Sequence, residues 1–134
     1  MTDARLEQVH ASRIDARNYL EQARTFQADA DGALSNESRS VLLHNAVLSA
    51  ADAVLQAAGL RVGSGDGAHQ LRIETALAQL PEETDDLLDR LESSRSRRND
   101  ASYAAMLVPE ASIEEAREAT AELISLAAVF VGSD

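Results

Sequence analysis

The stretch from Asn36 to Ala58 limits this chain more than any other. No proline or glycine interrupts it, and its apolar residues are Val41, Leu42, Leu43, Ala46, Val47, Leu48, Ala50, Ala51, Ala53, Val54 and Leu55. At 100° per residue these positions fall on nearly every side of a helix, and a helix apolar almost all round must be central and buried. One narrow polar line is left on it, Asn45, Ser49, Asp52 and Gln56. Gly59 follows where a helix closes in the left-handed conformation that glycine adopts most easily. A fold built on such a segment needs other amphipathic helices to cover it.

The rest of the chain supplies four. A first helix is expected over 4–30, with Leu6, Val9, Ala16, Leu20, Ala23 and Ala30 at helical spacings and Arg13 interrupting their stripe. A glycine-rich loop, 59–67, lacks both a preceding strand and the Lys-Ser/Thr of a phosphate-binding loop, so it reads as a flexible connection. A short third helix, 68–80, has Asp66 as its N-cap and His69, Ile73, Leu77 and Leu80 on its packing side. Pro81 sits at the first turn of a fourth helix, which carries Glu82, Glu83, Asp85 and Asp86 against its positive end and runs to about Leu107. The fifth helix opens on a capping box, Ser112-x-x-Glu115, and has the stripe Ile113, Ala116, Thr120, Leu123, Ala127 and Phe130. No strand-like alternation is visible. The expected fold is all-α, an up-and-down bundle of four or five helices forming one domain over 1–134.

Composition excludes several functions. The chain has no cysteine, which removes disulfides and cysteine-based metal sites and suits a reducing compartment. Its N-terminal decapeptide has no apolar region of the signal-peptide kind, and no run approaches the roughly 20 apolar residues of a membrane span. A soluble cytoplasmic protein without membrane association is expected. The formal net charge is −11, so the overall field repels nucleic acid and any such contact needs a local basic patch. All twelve basic residues are arginine, which keeps every basic contact planar, multidentate and charged.

Such a patch exists on the fourth helix. Leu87, Leu88 and Leu91 define its inward stripe, and Arg95, Arg98 and Ser102 continue the same stripe. Arginine is rarely buried without a partner, so this face meets an acid, lines a cleft or lies at a subunit interface. The polar line of the second helix, Asn45, Ser49 and Asp52, offers partners, with Asp52 the natural counter-charge. Arg90 and Arg97 point away from the seam and read as solvated. His10, His44 and His69 are too far apart in sequence to form a metal set; His44 reads as a core histidine, and no metal or cofactor is expected. No nucleophile elbow and no catalytic carboxylate pair is present.

Four elements together resemble one known family. They are Ala16-Arg17-Asn18-Tyr19-Leu20 with Ala23, the Ala/Leu-rich second helix ending Ala57-Ala58-Gly59-Leu60-Arg61, His69 after the glycine loop, and above all Arg98-Asn99-Asp100-Ala101-Ser102-Tyr103. In order and spacing they are similar to the HEPN (higher eukaryotes and prokaryotes nucleotide-binding) domains, over nearly the whole chain. The resemblance implies a helical bundle that dimerises with its motif helices facing each other. Ribonuclease members carry Arg, a polar residue and, four to six residues on, a His. They cleave RNA without metal by 2′-hydroxyl attack and often serve as toxins beside a nucleotidyltransferase antitoxin.

Arg98 and Asn99 match the motif, while Tyr103 stands where its His would be. The resemblance therefore implies catalytic positions at Arg98 and Tyr103, with RNA or nucleotide contacts from Arg95, Arg98, Asn99 and Ser102 and weak or lost ribonuclease activity. The other reading of the same face is a dimerisation or protein-interaction module that caps a partner such as a nucleotidyltransferase. If Asp52 or other acids neutralise Arg95 and Arg98 within the protomer, the face is structural; if they converge unpaired, it is a ligand site.

Overall fold

A computed structural model describes residues 6–65, 67–104 and 108–132, with the backbone alone over 95–104. Five helices account for most of it: α1 (Arg13–Gly32), α2 (Asn36–Ala58), α3 (Ala68–Gln79), α4 (Asp85–Ala104) and α5 (Glu110–Val131). Helix α2 occupies the centre, packed by α1, α3 and α5, while α4 lies against α5 and α3. Ala46, Ala50, Ala51, Ala53 and Val54 are completely buried. Alanines on the inner faces of α1 (Ala16, Ala23) and α5 (Ala119, Ala127) are buried to the same degree. Two facing rows of small side chains let the helix axes approach closely, which is how a core with little aromatic residue fills its space. Among the described helices α2 alone is long and apolar enough to cross a membrane, and 56% of that apolar window is buried by the rest of the chain.

The helix ends follow local chemistry. Ser12 caps α1, its hydroxyl accepting the Asp15 N–H at 3.1 Å, and Ser35 caps α2 by accepting the Ser38 N–H at 3.1 Å. Gly59 closes α2 at φ 74°, donating its N–H to the Gln56 and Leu55 carbonyls. Leu80 is extended at φ −76°, ψ 142°, the conformation that a following proline imposes, and this ends α3.

Several expectations need correction. The first helix begins at Arg13, not near residue 4. Leu6–Gln8 instead forms strand β1, antiparallel to strand β2 (Leu60–Val62), in the register Leu6 to Val62, Glu7 to Arg61 and Gln8 to Leu60. The Ser12 cap fixes the helix start, and the chain up to it finds backbone partners at the end of α2: Val9 N–H donates to the Gly59 carbonyl at 2.9 Å and Ser12 N–H to that of Gln56 at 3.0 Å. A segment of three residues is too short to show a period of its own, and Leu6 and Val9 fit the helical stripe by spacing alone. Helix α4 starts at Asp85 instead of Pro81; Thr84 supplies the first carbonyl, to Leu88 N–H at 2.9 Å, and the Glu83 carboxylate accepts the Asp85 N–H at 2.9 Å. Helix α5 starts at Glu110, so Ser112 lies inside its first turn and the capping box is not its start; the Pro109 carbonyl accepts from Ser112 and Ile113. Helix α3 is preceded by Gly67 at φ 75° with no side-chain cap, and Asp66 lies outside the described residues.

Candidate functional site

Helix α4 buries Leu87 and Leu91 in the core and stays helical through Ala104. Positions 95 and 98 therefore follow 91 and 94 by one turn, in register with the buried line. The side chains of Arg95, Arg97, Arg98, Asn99, Ser102 and Tyr103, which carry the sequence-based site, lie outside the described residues. The ground just before them is defined. Leu91 and Ser94 from α4, Ser40, His44 and Val47 from α2, and Thr120 from α5 surround a cavity of about 30 Å³. That volume holds one water-sized group. The Ser94 hydroxyl is buried there with no hydrogen-bond partner among the described residues. Thr120 turns its hydroxyl back onto the Ala116 carbonyl at 2.6 Å.

Two of the three second-helix residues expected to partner the arginines have partners among the described residues. Ser49 is buried and donates to Gln22 Oε1 of α1 at 3.2 Å. Asp52 receives both arms of Arg72 from α3, Nε at 3.1 Å and Nη2 at 2.5 Å, with each side chain 23% exposed. Asn45 is half-buried. Arg90, expected to be solvated, instead ties α4 to α5 through Glu122 at 2.7 Å and to its own turn through Asp86 at 3.0 Å. The Glu122 hydrogen bond raises the Arg90 pKa above its ordinary value, partly offset by desolvation and reinforced by the two carboxylate charges.

The histidines are less separate than their spacing suggests. His44 and His69 have ring centroids 5.6 Å apart, tilted by 47°. His69 is exposed rather than packed: α3 turns Ala68, Ile73 and Leu77 to the core and His69 away from it. No group of three or more metal-ligating residues assembles among the described residues.

A second, larger concavity was not anticipated. The β1–β2 strap and the 63–65 loop wall a cleft of about 630 Å³ over the outer sides of α1, α2 and α3. Tyr19, Gln56, His10, His69 and the Asp52–Arg72 pair all line it. Sequence reading treated the glycine loop as a bare connection because the strand that organises it pairs with residues more than fifty positions earlier. The signal that could have located the cleft is the coincidence of Tyr19, Asp52 and His69 on three helices that pack together.

The chain matches no family model, no curated protein and no solved structure.

Proposed function

We propose that this protein is a HEPN-like bundle that binds RNA or a nucleotide through Arg95, Arg98 and Asn99, with weak or lost metal-independent ribonuclease activity, and that it works as a cytoplasmic homodimer. The observation that carries the reading is the continuity of α4, which takes the line of buried Leu87 and Leu91 straight into an arginine-bearing face. Arg72 already holds Asp52, the acid best suited by sequence to neutralise that face, which favours a phosphate over an internal carboxylate as partner for the arginines. Arginine suits this role because its fork binds phosphate oxygens in pairs and stabilises the charge that builds on phosphorus in the transition state.

The tyrosine sets the expected activity. A base must take a proton near neutral pH; histidine, near 6.5, does so, and tyrosine, near 10, stays protonated. On an unbroken helix the five-residue step from 98 to 103 turns through about 140°, so one protomer does not present both on one line. A second protomer across a two-fold axis would bring one helix's Arg98 beside the other's Tyr103, which is the reason for including the dimer in the proposal. A nucleotidyltransferase-type protein is the partner the family resemblance implies.

The test is fluorescence anisotropy of the purified protein with a labelled single-stranded RNA at low salt, with and without Arg98→Ala, alongside a cleavage assay in EDTA. Binding that falls at least tenfold in Arg98→Ala, with little or no cleavage, is expected. Absence of binding to RNA or nucleotide, with Arg98→Ala lowering only the dimer fraction in light scattering, would establish the interaction module instead.

A further inference from the structure

We propose that the cleft beneath the β1–β2 strap binds a small phosphate monoester whose organic body has an apolar face, at a site separate from the arginine face of α4. Its volume, about 630 Å³, lies within the usual range for small-ligand sites and well above what a free ion fills. Its lining mixes two chemistries: the apolar side chains of Val9, Leu55, Leu60 and Val62 with the Tyr19 ring, and the polar groups of His10, His69 and Arg72.

The whole chain carries −11, while the fixed charges lining the cleft cancel, two arginines (Arg61, Arg72) against two aspartates (Asp15, Asp52). Arg61 is paired with Glu7 at 3.1 Å, so Arg72 is the cation that the cleft offers an anion. Asp52 occupies two of the five N–H donors of Arg72, which leaves three for a ligand while holding the guanidinium in place. A guanidinium that is three-quarters buried and already oriented loses little side-chain entropy on binding, so its remaining donors are preorganised. Arg72 and His69 come from α3 and His10 from the segment after β1, so the cleft gathers polar side chains from two parts of the chain; a phosphate with three terminal oxygens can use more of them than a carboxylate with two. The apolar wall accounts for the body of the ligand, which inorganic phosphate lacks.

Phenyl phosphate, inorganic phosphate and benzoate are the probes, titrated into the full chain while amide shifts are followed by NMR. Saturable shifts at Tyr19, Ser64 and His69 with phenyl phosphate are expected, with inorganic phosphate and benzoate each at least tenfold weaker. The paired substitution Asp52→Asn with Arg72→Gln removes both charges together and leaves two neutral amides, so it tests the donor without stranding an acid. It should weaken phenyl phosphate at least tenfold at an unchanged melting temperature. His69→Gln, at an exposed position, should weaken it severalfold and serves where the paired variant is unstable. Arg98→Ala should leave the titration unchanged. The proposal is overturned by an absence of saturable shifts with any probe, by benzoate binding as tightly as phenyl phosphate, or by a titration that Arg98→Ala abolishes and the paired variant does not.

Discussion

Gly59 joins the end of the central helix to the strap that covers the cleft, and replacing it with alanine measures how firmly the two are coupled. Two costs arise. The backbone sits at φ 74°, where an L side chain pays roughly 1–2 kcal/mol. A Cβ built there would lie 2.8 Å from the Val9 carbonyl oxygen, closer than real contacts allow, and 3.6 Å from the Ala11 Cβ. Since the close atom is backbone, the strap must move away. The second cost is bounded, because the strap can detach rather than bear the clash. Detachment loses the Val9-to-Gly59 hydrogen bond and loosens the β1–β2 pairing, at about 1 kcal/mol for each bond lost. The sum is about 2–4 kcal/mol, measured as a fall in urea midpoint at constant m-value. A chain shortened by residues 1–9 has no strap to displace, so in that background Gly59→Ala should cost only the conformational part, roughly 1–2 kcal/mol. Equal losses in the two backgrounds, or a loss below about 0.5 kcal/mol in the full chain, would show that the strap does not close on Gly59 as described.

Caps separate the true helix starts from the apparent one: Ser35→Ala should cost about 1 kcal/mol, whereas Ser112→Ala, inside the first turn of α5 and not at its cap, should fall within about 0.5 kcal/mol of wild type in the same urea titration. Leu123 is fully buried on α5, and Leu123→Ala should cost about 3 kcal/mol through lost transfer energy and a residual cavity, read by thermal melting. Ala51 lies at zero exposure, and Ala51→Leu should destabilise by about 2 kcal/mol, because close-packed helices cannot admit the extra volume. Asp52→Ala alone should cost about 2 kcal/mol by leaving Arg72 unpaired in a partly desolvated setting, while the paired neutral substitution should show no such loss.

Much of the fold was legible because its strongest signals are local. The bounds of α2 match the sequence reading at both ends, since an uninterrupted apolar stretch that ends on a glycine admits one helix; the Ser35 cap at its start is what the structure adds. What was missed depends on distant partners. Strand β1 exists because β2 offers it an edge after Gly59, and three residues carry no period of their own. The start of α5 illustrates a different failure: Ser112-x-x-Glu115 has the letters of a cap, but the Pro109 carbonyl reaches the Ser112 and Ile113 amides and begins the helix earlier.

The polar line of α2 shows why a site is harder to read than a fold. In projection Asn45, Ser49, Asp52 and Gln56 form one continuous strip, and a strip invites a single partner. In three dimensions it borders several neighbours: Ser49 meets Gln22 of α1, Asp52 meets Arg72 of α3, and the Gln56 carbonyl receives Ser12 below the strap. Periodicity tells which face of a helix a residue occupies, while the order in which the other helices pack decides what it touches. An acid on α2 was therefore assignable to an arginine by charge, but the choice between Arg72 and the α4 arginines required the crossing of α3 over α2. Among the described residues, the partner of Asp52 is Arg72. The strip's last two members, Asp52 and Gln56, line a cleft together with Arg72, Tyr19 and two histidines, which three helices and the strap bring to one place.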